Sequence, residues 1–323
     1  MILLTGGAGF IGSAVLRHLN DHGRRDIVVV DHLASSSKWR NLVGKSFEDY
    51  LDRDELLKYI LSDALPFKVR SIVHLGACSS TLESDAGYLL RNNTKYTQHL
   101  CEYAIKHGIR FVYASSAATY GEGLAGYADD ETKLDALRPL NAYGFSKHLF
   151  DVWAHQRNLF KHIVGLKFFN VFGPNEYHKG EMRSVLHKAY AQVRESGTIR
   201  LYKSYRKEYP DGGQKRDFIY VKDCADVVMW FLDNPSAHGL FNLGSGQARS
   251  WNDLAGALFS ALKVQPRIEY IDMPDQLRSQ YQYFTEAPMQ KLRAAGYAKP
   301  FTSIEGAVAD YVQAHLSNPW QHY

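Results

Sequence analysis

Short apolar runs and stretches with helical spacing alternate through the first half of the chain. Buried strands are predicted at 2–4, 27–31, 71–77, 109–116 and 163–169. Helices, with apolar side chains recurring on one face, are predicted at 10–19, 53–61, 85–107 and 143–160. Strands that alternate with helices form a parallel sheet covered by helices on both faces. The pattern therefore predicts a doubly wound (Rossmann) α/β fold, which binds ligands at the carboxyl ends of its strands.

The alternation becomes less regular from Val171 onward. A loop at 173–180 precedes a helix that ends near Glu195, and a polar, aromatic segment follows at 202–214. Strands at 216–221 and 240–243, with a helix after Asp223 between them, are expected to return to the first domain. We therefore divide the chain into a dinucleotide-binding domain and a second, smaller substrate-binding lobe. The first covers residues 1–170 with returns near 217–245, and the second covers residues 171–216 and 246–323.

Composition excludes several classes of protein. The net charge of +4 comes from scattered basic residues, which does not suggest a nucleic-acid partner. No apolar run reaches membrane-spanning length, so no membrane partner is expected. The three cysteines lack metal-ligand spacing, which predicts no metal site and a reducing compartment. Because Met1 leads directly into the first strand, we expect no signal peptide and a cytoplasmic enzyme.

A glycine-rich turn joins the first predicted strand to the first helix. Gly6, Gly9 and Gly12 provide a tight turn, close approach of the backbone to a pyrophosphate, and close packing of helix on strand. The alternative, a turn that merely needs glycine, is less consistent with an acidic residue at the end of the next strand, Asp31. This arrangement predicts a dinucleotide site.

The choice between NAD and NADP depends on the residues after the second strand. Asp31 favours a free ribose 2′-hydroxyl and hence NAD. Lys38, Arg40 and His32 could instead hold the 2′-phosphate of NADP and offset the repulsion by the carboxylate. The residues by themselves leave both cofactors open.

Tyr143 and Lys147 are four residues apart in a predicted helix, so both project from one face. We expect the ammonium to lower the pKa of the phenol, which would make Tyr143 a general base near neutrality. Ser116, at the end of a neighbouring strand, could hydrogen-bond the same substrate oxygen. The alternatives are an incidental tyrosine–lysine pair on a solvated face and a serine that caps a turn, a role more expected of Ser115. The glycine turn, strand-end serine and tyrosine–lysine pair together are more specific than any one of them.

This constellation resembles the extended short-chain dehydrogenase/reductases that act on nucleotide sugars, over the whole chain. The resemblance includes Arg216-Asp217-Phe218 and Asn242-Leu243-Gly244, and it singles out Ser116 as the catalytic serine, four residues before Tyr120. Dehydratases of that family carry an Asp-Glu pair immediately after the catalytic serine or threonine. Ala117 and Ala118 stand there instead, which favours oxidation and re-reduction over elimination of water.

The closest resemblance is to the family of ADP-glyceromanno-heptose 6-epimerases. It rests on literal matches at 76–81, 114–121, 178–180, 281–285 and 292–297. That family works with bound NADP on ADP-heptose, a precursor of the lipopolysaccharide inner core, and tends to form homo-oligomers. Two alternatives stay open, another nucleotide-sugar epimerase or reductase of this fold and a protein that only binds the cofactor. The intact set of Ser116, Tyr143 and Lys147 argues against the second.

The resemblance implies roles for individual residues. Tyr143 and Lys179 would be the two acid/base groups, because inversion of carbon 6 needs proton transfer on both faces of a transient ketone. The cofactor would contact Gly6, Gly9, Phe10, Ile11, Gly12, Asp31, His32, Lys38, Arg53, Leu75, Gly76, Ala77, Cys78, Ser79, Asn92 and Lys147. The substrate site would contain Asn170, Val171, Lys179, Glu181, Lys188, Tyr202, Lys203, Ser204, Tyr205, Arg216 and Tyr281.

Overall fold

The computed structural model of the chain describes residues 1–278, 281–318 and 322–323. In chain order its strands are β1 (Ile2–Thr5), β2 (Ile27–Asp31), β3 (Asp49–Asp52), β4 (Ser71–His74), β5 (Arg110–Ser116), β6 (Ile163–Phe168), β7 (Asn170–Phe172), β8 (Ile199–Tyr202), β9 (Lys215–Tyr220), β10 (Gly239–Leu243), β11 (Ala248–Ser250) and β12 (Ile268–Ile271). Its α-helices are α1 (Phe10–Asp21), α2 (Arg53–Leu61), α3 (Ala86–Leu89), α4 (Tyr96–Lys106), α5 (Ala142–Gln156), α6 (Val185–Ser196), α7 (Val221–Asp233), α8 (Trp251–Leu262), α9 (Asp275–Arg278), α10 (Gln290–Ala294) and α11 (Ile304–Asp310).

Other helical turns connect these elements. Turns of π-helix lie at Leu90–Lys95, where they join α3 to α4, and at Tyr311–Leu316 after α11. Turns of 3₁₀-helix lie at Ser37–Leu42, Ala117–Tyr120, Glu131–Ala136, Leu159–Lys161 and Tyr177–Met182.

Seven parallel strands build the central sheet, in the order β10, β6, β5, β4, β1, β2, β3. All residues of β1, β2, β4 and β6 are buried, as their largely apolar sequences require in a sheet with two covered faces. Helix α1 packs against α7, and α2 packs against α4. From β1 the chain adds β2 and β3 on one side, and it then crosses back to add β4, β5, β6 and β10 on the other side of β1. This reversal opens a crevice at the carboxyl ends of β1 and β4, and the predicted doubly wound fold is confirmed.

Two smaller sheets lie outside the central one. Strand β9 pairs with β7 and β11 in a three-stranded sheet, and β12 pairs with β8. A second apolar core, which includes Phe10, Leu186, Phe218 and Leu258, joins these sheets to α1, α6 and α8. The second core therefore brings the small sheets against the start of α1.

Several details differ from the prediction. The strand expected at 216–221 does not return to the central sheet but forms β9 of the three-stranded sheet, whereas 240–243 does return, as β10 beside β6. The helix expected at 143–160 ends at Gln156, because Asn158 adopts a left-handed conformation with φ of 54°. Strand β3 was missed, since its sequence Asp-Tyr-Leu-Asp buries one residue only.

The division into two lobes stays a prediction, and residues 279–280 and 319–321 of the predicted second lobe lie outside the described residues. Within the part of the chain that the structure describes, we find no helix that is both long and apolar enough to span a bilayer.

Candidate active site

A cavity of about 670 Å³ opens at the carboxyl ends of the central strands. It brings together Gly6, Gly9, Gly12, Ser116, Tyr143, Lys147, Asn170, Val171 and Lys179. A second cavity of about 210 Å³ shares Gly6, Asp31, Lys38 and Gly76–Cys78 with the first and is lined also by His32, Arg53 and Asn92. The predicted cofactor residues Phe10, Ile11, Leu75 and Ser79 line the larger cavity as well.

The glycine turn between β1 and α1 has room for backbone only. Gly6 has φ of 68°, and a Cβ on it would lie 2.6 Å from the nitrogen of Gly76. A Cβ on Gly12 would lie 2.0 Å from the carbonyl oxygen of Gly6. The first turn of α1 carries no acidic side chain, and no side chain caps its N–H groups. This end of the helix therefore suits the pyrophosphate of a dinucleotide.

Asp31, at the end of β2, is held by several donors. Its carboxylate accepts hydrogen bonds from the backbone nitrogens of Ala8 at 2.9 Å and His32 at 2.7 Å. It also forms an ion pair with Lys38 at 2.6 Å. Arg40, in contrast, lies over the ring of Trp39, 5.6 Å from its centre.

The second cavity is lined by several basic side chains. His32, Lys38 and Arg53 line it, and Arg53 donates a hydrogen bond to the side-chain oxygen of Asn92. Cationic side chains in such a position can neutralise a phosphate group.

Tyr143 and Lys147 project into the larger cavity from the start of α5. The side chain of Asn141 caps this helix by accepting a hydrogen bond from the nitrogen of Gly144 at 2.8 Å. Gly144 packs on the turn after β5, where a Cβ would lie 2.7 Å from the carbonyl oxygen of Ala118. This contact brings the first turn of α5 close to Ser116.

The electrostatics of Tyr143 differ from the expectation. Burial raises the pKa of Tyr143, and a hydrogen bond with Ser116 opposes that rise. Lys147 donates instead to the carbonyl oxygen of Ala114 at 2.9 Å, and burial lowers its pKa to about 8. The expectation that Lys147 lowers the pKa of Tyr143 is therefore wrong for this structure, because burial dominates and the ammonium is bound to the backbone.

The capping role that we expected of Ser115 belongs to Ser116 instead. Ser116 caps the turn after β5 by accepting a hydrogen bond from the nitrogen of Ala118 at 3.1 Å. Ser115 donates instead to the carboxylate of Asp151 at 2.6 Å.

Asp151 belongs to a buried network that the sequence analysis missed. Its fully buried carboxylate pairs with the fully buried ammonium of Lys167 at 2.7 Å and accepts from Tyr113 at 2.7 Å. Lys167 also donates to Thr119 at 2.6 Å. The signal available in the sequence was a lysine within an apolar strand, since such a charge requires a buried partner. The network fixes the carboxyl ends of β5 and β6, next to the predicted site residues Ser116 and Asn170.

Lys179 reaches the same cavity from the turn Tyr177–Met182. Its ammonium lies 5.4 Å from the ring centre of Phe10, the first residue of α1. Burial lowers the pKa of Lys179, and the negative charge of Glu176 opposes this effect. Burial and the positive charges of Lys38 and Lys179 lower the pKa of His178 to about 4. Glu176 lines the cavity too and was not singled out from the sequence.

The remaining predicted substrate residues form separate groups. Arg216 lies between the rings of Trp251 and Tyr281, 5.7 and 5.2 Å from their centres, and Tyr202 faces Tyr281 at 6.4 Å. Trp251 lines the larger cavity, so this aromatic group borders it.

The other side chains of the predicted set have protein partners. Glu181 and Lys188 form an ion pair with each other at 3.1 Å. Lys203 and Tyr205 both bind Asp272, at 3.2 and 3.0 Å, and the nitrogen of Ser204 donates to Asp211 at 2.7 Å. Their assignment to the substrate site stays a prediction.

Known sequences and structures resemble this chain along nearly its whole length. Residues 2–244 match the NAD dependent epimerase/dehydratase family. The chain is 54% identical over 317 residues to ADP-L-glycero-D-manno-heptose-6-epimerase of Nitratidesulfovibrio vulgaris (strain Hildenborough), covering 98% of each chain. It is 45% identical over 326 residues to the protein of that name from Fusobacterium nucleatum, again covering 98% of each. The solved Helicobacter pylori ADP-L-glycero-D-manno-heptose-6-epimerase matches with a TM-score of 0.81 and 27% identity, over 96% of this chain and 94% of that one.

Proposed function

Because the chain belongs to the NAD dependent epimerase/dehydratase family, we propose that it inverts carbon 6 of the heptose in ADP-glycero-manno-heptose. Relatives at 54% and 45% identity carry the name of that epimerase. On this proposal the protein is a nucleotide-sugar isomerase of carbohydrate metabolism. Its product would serve as a precursor of the lipopolysaccharide core.

The observation that carries the proposal is that the side chains of Tyr143 and Lys179, both of a type that can transfer protons, line one cavity. Tyr143 enters from α5 and Lys179 from the turn Tyr177–Met182, so they belong to different elements around one space. A reductase that works on one face of a carbonyl needs one such group, whereas inversion needs one on each face. Ala117 and Ala118 follow Ser116 and offer no carboxylate for the elimination of water.

The protonation states of the two groups suit this task. Since burial raises the pKa of Tyr143, the phenol holds its proton near neutrality and can donate it. Since burial lowers the pKa of Lys179, its neutral amine is more accessible and can accept a proton. In one direction the amine of Lys179 takes the hydroxyl proton and the phenol of Tyr143 returns one; exchange with water then removes the proton from Lys179 and restores that of Tyr143. In the other direction the reaction starts from the ammonium of Lys179 and the phenolate of Tyr143, and their roles exchange. Ser116 orients the reacting oxygen beside Tyr143.

A bound nicotinamide cofactor supplies the acceptor and donor of hydride for this chemistry. The residues present fit it, since the backbone cradle at Gly6 and Gly12 admits no side chain and the N–H groups at the start of α1, which no side chain caps, would hold the pyrophosphate. We favour NADP over NAD because His32, Lys38 and Arg53 line the second cavity beside Asp31. Lys38 already neutralises the carboxylate of Asp31, which lowers the repulsion of a 2′-phosphate.

The test is to incubate the purified protein and NADP with each isomer of the ADP-heptose separately. We expect the same equilibrium mixture from either isomer, without net consumption of the cofactor. Net oxidation or reduction in proportion to added cofactor would identify a reductase, and conversion of a UDP-hexose alone would identify another epimerase. Mass spectrometry of ligands released from the purified protein identifies the cofactor, and sedimentation tests the predicted homo-oligomer.

A further inference from the structure

A buried carboxylate fixes the turn that carries Lys179. The side chain of Glu176, three residues before Lys179, belongs to a residue that is 1% exposed. One carboxylate oxygen accepts hydrogen bonds from the hydroxyls of Ser184 at 2.6 Å and Tyr311 at 3.1 Å, and the other accepts from the nitrogen of Ser184. The carbonyl oxygen of Glu176 also accepts from the nitrogen of Lys179 at 3.0 Å.

These contacts close the segment 176–184 on itself. Ser184 is the N-cap of α6, so the carboxylate ties the beginning of the Lys179 turn to the beginning of the next helix. Tyr311 starts the π-helical turn after α11 and anchors the same carboxylate from the C-terminal region. A nine-residue segment closed at both ends has fewer conformations than an open one, which restricts where the ammonium of Lys179 can lie.

The neighbouring residue reinforces this closure. Asn175 is fully buried with φ of 78°, and its side chain donates to Ser13 of α1 at 3.0 Å and to the carbonyl oxygen of Tyr323 at 2.9 Å. The side chain of Asn41 donates to the carbonyl oxygens of Ala8 and Asn175, at 2.9 and 3.1 Å. The turn of Lys179 is thereby fixed to the glycine turn of the cofactor site.

The charge of Glu176 also acts on Lys179. Other ionisable groups surround the ammonium: the half-buried His178 beside it, the Asp31–Lys38 ion pair beyond His178, Arg183 on the same segment, and Tyr143 across the cavity. Burial keeps His178 neutral near pH 7, and the Asp31–Lys38 pair has no net charge. Glu176 is the group whose negative charge opposes the effect of burial on Lys179.

We propose that Glu176 is a positioning residue that closes the Lys179 turn and supplies the negative charge that keeps the ammonium available as a proton donor. This inference rests on the proposed acid/base role of Lys179. It also gives a reason for a carboxylate, and not an amide, at a position where burial disfavours the charge.

The test compares pH profiles of kcat/KM for epimerisation in the wild type, Glu176→Gln, Glu176→Asp and Lys179→Met. Glu195→Gln, which removes an exposed carboxylate from α6, is the control for loss of one negative charge. One limb of the pH profile should report the ionisation of Lys179. We expect Glu176→Gln to move this limb to lower pH by about one unit, because the ammonium loses a nearby opposite charge. Glu176→Asp and Glu195→Gln should leave the limb where it is in the wild type.

Lys179→Met separates failure of this inference from failure of the proposed function. If the wild type shows no epimerisation, the proposed function fails. If Lys179→Met keeps the full wild-type profile, Lys179 is not an acid/base group and the two-base scheme fails. If Lys179→Met abolishes epimerisation but Glu176→Gln leaves the limb of the pH profile unmoved, the proposal for Glu176 alone is refuted.

Two further variants test the closure even if Glu176→Gln does not fold. Tyr311→Phe and Ser184→Ala each remove a hydroxyl donor and keep the charge, so they should lower kcat with the limb unmoved and with unchanged cofactor affinity. Wild-type kcat in both variants would overturn the positioning role.

Discussion

The buried pair of Asp151 and Lys167 allows a stability prediction worked from the structure. Both side chains are fully buried, and they are joined at 2.7 Å. Replacing Lys167 by Met leaves the carboxylate of Asp151 with the neutral donors Tyr113 and Ser115 only. Breaking a buried pair from one side costs about 3–5 kcal/mol, because the remaining charge has lost its solvation and its partner.

The size of the chain converts this cost into a temperature. An unfolding entropy of about 2.1 cal/mol/K per residue gives roughly 1.5 °C per kcal/mol for 323 residues. Lys167→Met should therefore lower the Tm by about 4–7 °C. Asp151→Asn should be similarly harmful, since it leaves the cation of Lys167 buried without a counter-charge.

The double variant provides the decisive measurement. Asp151→Asn combined with Lys167→Met removes both charges of the pair. The double variant should therefore lose about 2–3 kcal/mol less unfolding free energy than the two single variants lose in sum. Urea unfolding followed by tryptophan fluorescence gives the four free energies of the cycle. Additive losses, with a coupling near zero, would refute the argument that the two charges stabilise each other in the core.

Four further predictions concern the site and its pH dependence. Tyr143→Phe should lower epimerisation by about 10²–10⁴-fold with unchanged Tm and cofactor binding, and a wild-type rate would refute its role. In equilibrium titrations of the apoprotein, Lys38→Ala should weaken NADP binding by about tenfold or more and have little effect on NAD binding. If the wild type binds NAD more tightly than NADP, the choice of NADP is wrong. Lys179→Met should abolish inversion but still permit slow reduction of the cofactor, seen as nicotinamide absorbance, with the one epimer whose hydroxyl faces Tyr143. Normal interconversion of the two epimers by this variant would exclude the two-base scheme. Burial lowers the pKa of His74 to about 3, so below pH 6.5 the unfolded state binds a proton that the folded state does not, and stability falls as the pH drops. Between pH 7 and 5 the wild type should lose about 2 kcal/mol of unfolding free energy from this group, and His74→Gln should not show that loss.

Local patterns in the sequence were sufficient for the framework of the site. The strand, glycine turn and helix at residues 2–21 and the Tyr143–Lys147 spacing depend on neighbours in the chain, and the structure has each of them. The Asp151–Lys167 pair and the Glu176–Tyr311 contact join residues far apart in sequence, so their partners appear only in the fold.

The wrong prediction for the pKa of Tyr143 and the missed strand β3 each have a physical reason. The pKa of Tyr143 depends on how deeply the cavity encloses the phenol, and spacing along a helix does not contain that information. The short edge strand β3 pairs with β2 through its backbone, which its mostly polar side chains do not indicate.

The contact of Gly144 with Ala118 has a consequence for enzyme engineering. Because backbone meets backbone there, the separation of Tyr143 and Ser116 is set without any intervening side chain. If the aromatic wall around Trp251 and Tyr281 contacts the substrate, as we predict, a library that varies this wall should change substrate preference and leave that separation untouched. Substitutions at Gly144 itself would alter the reaction for every substrate alike, and this position is best left constant in any redesign.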